Sequence, residues 1–310
     1  MGLSGKLMLA PMAGITDAAF RSICVDHGAE ITVSELVSVE SILRDNEKVE
    51  LLLKRHPGET CFGIQLFGSD PVRMALAAKL VEPRCDFIDI NMGCPAPKVY
   101  RSGAGSALLD NPALAGEIVR QIRAMVSVPV SVKIRLGIND SSLALPLARV
   151  CEVNGASWIT VHGRTRKQGY AGIADWDAVE KLKSELSIPV VGNGDLSSPE
   201  DVSFALNERG VDAVAIGRAA SGNPWIFETA KDFLLTGSYS QPSIGKRLSV
   251  FATYLRRARE CNIPFINQKQ QAQHFIKGLS GASRLRAEIT RCKAPEDLLY
   301  LLRTFEQKLS

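Results

Sequence analysis

Cys94 stands in an Asn91-Met92-Gly93-Cys94-Pro95 turn directly after a short apolar run. A thiol near the ordinary value of about 8.5 is mostly protonated at neutral pH and can act as a general acid, whereas a thiol of lowered pKa is a nucleophile. The sequence leaves both uses open. Cys24 and Cys151 lie inside apolar runs and read as inert core residues. Lys133 alternates with Val132 and Ile134, so on an extended chain it points to the opposite side from them. A cation there can hold an anionic, electron-rich ring such as a reduced flavin, or form a Schiff base with a carbonyl. Pairing with a carboxylate such as Asp89 is the structural alternative. Gln65 and Asn91 each offer donors and acceptors, which suits a heterocycle edge and equally suits a buried structural amide. His162 and Arg164 close another apolar run. Gly192-Asn193-Gly194-Asp195 and Gly217-Arg218 put glycines where backbone N–H groups can approach a phosphate, with Arg218 as a fixed cation. Tight turns are the plainer use of the same glycines.

These residues need elements to bring them together. Apolar, β-rich runs predict strands at Lys6–Ala10, Ile31–Ser34, Cys61–Leu66, Phe87–Asn91, Val130–Arg135, Trp158–His162, Pro189–Asn193 and Ala213–Gly217. Helical periodicity predicts Thr16–His27, Pro71–Val81, Pro112–Met125, Leu143–Asn154, Trp176–Leu186 and Pro199–Asn207 between them, with weaker helices at Asn46–Arg55 and after Gly222. Eight such units imply a (β/α)8 TIM barrel, for which about 250 residues is typical. An open doubly wound sheet is the alternative, but no Gly-x-Gly-x-x-Gly follows the first strand. In a barrel, chemistry collects at the C-terminal strand ends. Ala10-Pro11-Met12-Ala13-Gly14, Gln65, Asn91, Cys94, Lys133, Arg135, His162, Arg164, Asn193 and Arg218 all fall there. Residues 98–109, from Lys98 to Leu109, read as a flexible, basic, substrate-facing loop.

Thr236–Ser243 has a linker composition. Beyond it Lys246–Cys261, Asn267–Leu279, Ser283–Cys292 and Pro295–Lys308 predict a small all-α helical bundle. The expected boundaries are a barrel at 1–240 and a helical domain at 241–310. The 310 residues are 45% hydrophobic and 23% charged, which excludes disorder, collagen and a disulfide-stapled mini-protein. No apolar run reaches the ~20 residues of a membrane span, and no signal-peptide pattern is visible. Seven cysteines without a C-x-x-C pair argue against a metal site and for a reducing cytoplasm. The net charge of +4 hides an asymmetry. Residues 240–310 hold 13 Lys and Arg against 5 Asp and Glu, whereas the remainder holds 24 against 28. A basic tail on an acidic body suggests a polyanionic partner, or simply a solvated helical face.

Taken in order, the strand-end motifs resemble those of the tRNA-dihydrouridine synthase family. They are Ala-Pro-Met-Ala-Gly-Ile-Thr-Asp (10–17), Gln65-Leu66-Phe67-Gly68, Asp89-Ile90-Asn91-Met92-Gly93-Cys94-Pro95 with Lys98-Val99, and Val132-Lys133-Ile134-Arg135-Leu136-Gly137. Val161-His162-Gly163-Arg164-Thr165, Gly192-Asn193-Gly194-Asp195, Ile216-Gly217-Arg218 and Asn223-Pro224-Trp225-Ile226-Phe227 complete the set. The tail is similar to the family's RNA-binding helices only loosely. The resemblance implies FMN at the barrel mouth, reduced by NADPH, and tRNA as substrate. It implies flavin contacts from Pro11, Met12, Ala13, Gln65, Lys133 and His162, and phosphate contacts from Asn193, Gly194, Asp195, Gly217 and Arg218. Cys94 would be the general acid that protonates uracil C5 after hydride reaches C6. Asn91 and Lys98 would orient the base, with Arg135 and Arg164 nearby. A cytoplasmic monomer is expected, and truncation after residue 240 is expected to leave flavin bound while abolishing tRNA modification. Three rivals remain on sequence grounds: a flavin barrel acting on a small pyrimidine, a Schiff-base aldolase using Lys133, and a non-enzymatic RNA-binding module.

Overall fold

A computed structural model describes residues 2–279 and 281–307 of the chain. Nine parallel strands, β1 Lys6–Leu9, β2 Ile31–Val33, β3 Val37–Ser38, β4 Phe62–Phe67, β5 Phe87–Met92, β6 Val130–Arg135, β7 Trp158–His162, β8 Val190–Asn193 and β9 Ala213–Ile216, alternate with helices. The order is β2-β1-β9-β8-β7-β6-β5-β4-β3, and β2 also pairs with β4. That pairing, Thr32 with Phe62 and Val33 with Gly63, closes eight strands into a barrel. The chain's first strand lies beside its last, in register from Lys6 with Ala213 to Leu9 with Ile216. The TIM barrel is therefore as expected, and an open sheet is excluded because no barrel strand is left as an edge. The two-residue β3, beside β4 at Val37 and Leu66, was too short to read from sequence.

Alternation along each strand divides the core. Leu7, Leu9, Ile88, Ile90, Val132, Ile134 and Ile159 face the surrounding helices, while Met8, Ile31, Val33, Phe87, Trp158, Val191 and Ala213 fill the barrel interior. Phe87 and Trp158 meet edge-on there, with ring centroids 4.9 Å apart. Gly63 makes room for them, since a Cβ on it would sit 2.2 Å from the Phe87 ring.

The helices Pro71–Val81 and Pro112–Met125 match their predicted limits. Each begins with proline behind a side-chain cap, Asp70 accepting from the Arg73 N–H and Asn111 from the Leu114 N–H. Two stretches differ from expectation. Pro199–Asn207 is α-helical only to Ser203, after which Phe204–Glu208 widens into a π turn. Residues 98–109 are no flexible loop: Pro97–Arg101 is a short helix and Gly105–Asp110 a 3-10 turn. Val99, Ala104, Leu108 and Leu109 anchor that stretch in the core. Its Gly and Ser content hid this apolar spacing.

Beyond the extended stretch at 238–243 come helices Ile244–Glu260, Phe265–Phe275, Ala282–Arg291 and Pro295–Gln307. The predicted end at Lys308 lies outside the described residues. Leu248, Phe251, Tyr254, Leu255 and Ala258 join the same apolar cluster as Ala18, Phe20 and Ile23 of the barrel's Ala18–Asp26 helix. Polar ties reinforce the contact. The Tyr254 hydroxyl donates to Asp17 Oδ2 at 3.0 Å, and Arg257 pairs with Asp26 at 2.6 Å. Burial pushes the Asp17 carboxyl up to about 6, against its bonds from the Phe20 N–H and Tyr254. Among the described residues, no helix is long and apolar enough to cross a membrane.

Candidate active site at the barrel mouth

The alternation that packs apolar side chains into the barrel floor brings polar ones to its mouth. Two residues after Phe87 comes Asp89, then Asn91; after Trp158 come Thr160 and His162; after Val191 comes Asn193. Gln65 of β4 and Ser131, Lys133 and Arg135 of β6 share this inward phase.

A buried chain of side chains ends at the cysteine. Ser131 Oγ donates to Asp89 Oδ1 at 2.6 Å and Gln65 Nε2 to Asp89 Oδ2 at 2.6 Å. Asn91 Nδ2 donates to Gln65 Oε1 at 2.9 Å, and Asn91 Oδ1 accepts from the Gly93 and Cys94 N–H groups at 3.1 and 2.8 Å. Each amide is oriented by its neighbour, and the last one shapes the turn that carries Cys94. From the other side, the hydroxyl and N–H of Ser106 donate to the Cys94 carbonyl at 2.8 and 3.2 Å. Gly105 permits this approach, because a Cβ there would lie 2.8 Å from Val99 Cγ1 and 3.2 Å from Cys94 Cβ. Cys94 is thus a partly exposed thiol on a turn fixed from both sides. Ser106 was missed in the sequence, because nothing local linked it to a residue twelve positions earlier.

Lys133 Nζ donates to Asn193 Oδ1 at 3.3 Å, and Asn193 Nδ2 to the Ala215 carbonyl at 2.6 Å. The lysine is therefore aimed by an amide and makes no hydrogen bond to Asp89. Burial and then the charge of Arg135 lower its pKa to about 8, with Asp89 and Cys94 acting in the opposite direction. The amine is charged below that value and neutral above it. Affinity for an anionic ligand at the mouth is expected to fall as pH rises through about 8. Calorimetric titration on both sides of that pH checks this, and the step should vanish in Lys133→Met.

His162 is buried, and its Nδ1 has no hydrogen-bond partner among the described residues. Burial, followed by the charges of Lys133, Arg135, Arg164 and Arg218, pushes its pKa far down, so the ring is neutral. An orphaned imidazole nitrogen ringed by four cations fits an anionic heteroaromatic ligand that supplies the missing bond.

The expected phosphate residues divide into two roles. Gly194, at φ +120°, has no space for a side chain, since a Cβ would lie 3.0 Å from Ala174 Cβ. Gly217 lies against Ala10 and Met12, and the Ala10 N–H donates to the Ile216 carbonyl at 2.9 Å. Pro11, Met12 and Ala13 form the adjoining rim, with the Met12 N–H held by Thr16 Oγ1 at 3.0 Å. The Asp195 carboxylate, however, binds Arg164 Nη2 at 2.6 Å, the Ala174 N–H at 2.8 Å and Arg218 Nη2 at 3.3 Å. A carboxylate repels a phosphate. The Asp195 side chain therefore holds Arg164 and Arg218 and offers no donor to an anion.

The expected base contacts also divide. Lys98 is exposed, four residues past Cys94. Arg135 is buried and donates to the carbonyls of Gly93, Thr165 and Gly169 at 3.1, 2.9 and 2.9 Å. Arg164 is buried too, donating to the carbonyls of Ala171 and Gly172 at 3.1 and 2.6 Å. Both guanidiniums hold the 165–172 loop by its backbone. That loop presents Tyr170, 60% exposed, which sequence reading passed over. Its ring meets His162 edge-on at 6.3 Å and lies beneath Arg218 at 4.6 Å and Arg135 at 5.6 Å. Arg166 stacks over Tyr100 at 3.7 Å nearby. Aromatic faces beside cations are what an unstacked base packs against. A lone tyrosine in a polar run was the available signal.

An eight-stranded barrel with an apolar floor, a ring of cations and a braced thiol at its C-terminal mouth has the layout of a barrel enzyme. The fold has parallels in solved structures. Histamine dehydrogenase from Rhizobium sp. 4-9 aligns at TM-score 0.59 and 13% identity, over 81% of this chain and 48% of that one. A 2-naphthoyl-CoA reductase aligns at 0.57 and 12%, over 75% and 50%. The chain thus spans about half the length of these structural neighbours. A sequence profile described as Dihydrouridine synthase (Dus) matches residues 8–310. The tRNA-dihydrouridine synthase B of Pasteurella multocida is 36% identical over 98% of this chain and 93% of its own length. Those of Shewanella oneidensis and Pseudomonas putida are 43% and 44% identical, over 77% and 76% of this chain and 75% and 71% of theirs. The chain belongs to the dihydrouridine synthase family.

Proposed function

We propose that this chain reduces the C5–C6 double bond of uridine in tRNA to 5,6-dihydrouridine, using bound FMN and NADPH. The supporting observation is one mouth that holds both a braced, partly exposed thiol and a neutral histidine with an unpaired buried nitrogen. Pro11, Met12, Ala13, Gln65, Lys133 and His162 would hold the flavin ring. The backbones at Asn193, Gly194, Asp195 and Gly217, with the Arg218 guanidinium, would hold its phosphate. Bound there, FMN would supply hydride chemistry for reduction of the uracil ring. The protein's part is to present the base and protonate it. A uracil must leave its stack to enter a barrel mouth, and Tyr170 offers it a face there. Asn91 and Lys98 orient the ring, while Arg135 and Arg164 act through the loop they hold. Charge developing toward C5 needs a proton donor, and the Cys94 thiol donates it.

The C-terminal helices, from residue 241 onward, would grip the RNA backbone as a cytoplasmic monomer's second domain. Lys277, Arg284, Arg286, Arg291, Lys293 and Arg303 are exposed there. Binding of this kind weakens as salt rises, through loss of counterion release. The test uses purified full-length protein loaded with FMN, unmodified tRNA and NADPH. Dihydrouridine in the tRNA by mass spectrometry is the expected result. A protein that takes up no FMN, or that reduces free pyrimidines and leaves tRNA untouched, would overturn the reading.

A further inference from the structure

The helix Phe265–Phe275 lies in the basic C-terminal segment, yet its inner face touches the mouth of the barrel. Gln271 is fully buried, and its Nε2 donates to the Ile15 carbonyl at 2.7 Å. Gln270, beside it, covers Gly14: a Cβ there would lie 3.5 Å from Gln270 Oε1. Ile15 and Gly14 belong to the loop that follows β1 and carries Pro11–Ala13. One turn further along the same helix, its backbone presses on Gly222. A Cβ at Gly222 would fall 2.2 Å from the His274 carbonyl carbon and 2.6 Å from the Phe275 nitrogen. The Phe275 ring meets Trp225 edge-on at 6.3 Å. Gly222 and Trp225 belong to the loop that follows β9 and carries Gly217 and Arg218.

The two loops are neighbours across the β1–β9 pairing, and Ser221 Oγ donates to Met12 Sδ at 3.9 Å between them. One helix of the C-terminal segment therefore contacts both loops at once, by a hydrogen bond on one side and by backbone packing on the other. Tyr254 on Asp17 and Arg257 on Asp26 fix the neighbouring helix to the barrel just below. The neighbouring helix adds to the grip, with Arg247 over the Trp225 ring at 5.4 Å.

We propose that Gln271, with the close approach at Gly222, is a positioning residue of the cofactor site: the C-terminal segment sets the spacing of the two loops that grip FMN, so FMN affinity depends on its docking. This rests on the reading of the mouth as an FMN site. It reverses the expectation that a chain cut after residue 240 keeps its flavin. Such a chain loses the bond to Ile15 and the surface against Gly222, and bares the apolar face that Phe251, Tyr254 and Phe275 now cover.

The test is fluorescence titration of FMN into flavin-free, full-length protein. Gln271→Met keeps the volume and removes the donor, and Gly222→Ala drives a methyl group into the helix backbone. Each variant is expected to weaken FMN about 10-fold or more, which corresponds to about 1.4 kcal/mol. For Gln271→Met, turnover measured at saturating FMN should return to the wild-type rate, a rescue that general damage to the fold would not give. A folded Gln271→Met that binds FMN as tightly as wild type overturns the proposal, and it decides the matter if Gly222→Ala does not fold. A wild-type chain that binds no FMN overturns the cofactor reading instead, before any variant is compared.

Discussion

A Cys94→Ala chain should bind FMN and tRNA as the wild type does and form dihydrouridine about 100- to 10,000-fold more slowly, the usual range for loss of a general acid. The substitution touches little else. The turn is fixed through the Cys94 backbone, by Asn91 Oδ1 at its N–H and by Ser106 at its carbonyl. None of those bonds uses the thiol. Removing Sγ therefore takes away a proton donor and leaves the loop in place. The measurement is single-turnover dihydrouridine formation by mass spectrometry, with flavin absorbance as the loading control. A rate within a few-fold of wild type would remove Cys94 from the chemistry, and Ser106→Ala then serves as a comparison for turn geometry alone.

The largest effect on stability is expected far from the thiol. Arg21 and Glu59 form an ion pair in which both side chains are almost fully buried. Arg21 Nε donates to Glu59 Oε1 at 2.7 Å and Nη2 to Oε2 at 3.2 Å, and the guanidinium lies over the Phe62 ring at 4.5 Å. Two further hydrogens reach the carbonyls of Thr16 and Lys54. Glu59 also accepts from Thr32 Oγ1 at 2.6 Å and the His56 N–H at 2.8 Å. Arg21→Met would leave a buried carboxylate without its counter-charge, at a cost of about 3–5 kcal/mol. That is a large share of the roughly 5–15 kcal/mol that holds a domain folded. The urea midpoint should drop with the slope unchanged. Replacing both partners, Arg21→Met with Glu59→Leu, should recover much of the loss, since no stranded charge remains. A single-variant loss below about 1 kcal/mol would contradict the account of this pair.

Much of the barrel could be read from sequence because each strand is a short apolar run and several helices begin behind a side-chain cap. The predicted strands end within a residue or two of those observed, and Pro71–Val81 and Pro112–Met125 coincide with their helices. The locations of Cys94, Lys133 and His162 at one mouth follow from that register. Roles set by distant partners were not legible. Asp195 reads as one of a glycine-rich phosphate loop, and only the positions of Arg164 and Arg218 show which way its carboxylate turns. Arg135 and Arg164 read only as cations near the base; the structure shows Arg135 also holding backbone carbonyls up to 42 residues away, and Arg164 also holding Asp195. Gln271 and Tyr254 find partners 256 and 237 residues earlier in the chain, and no local pattern announces such contacts.

The seam between β1 and β9 has a consequence for how the protein is made. A chain leaves the ribosome from its N-terminus, and Lys6–Leu9 emerges more than 200 residues before Ala213–Ile216, the strand that completes its pairing. Until then the first loop has no neighbour on that side. The helix that spans both loops follows later still, at Phe265–Phe275. Contacts this distant in sequence form slowly, because a long loop must be closed before they stabilise anything. The growing polypeptide can build strands and helices in order, but the contacts that tie these two loops together form only after residues 265–275 have been made. On the proposed reading, full-strength capture of the cofactor waits for that helix, and a nascent chain stalled before residue 265 would hold it more weakly.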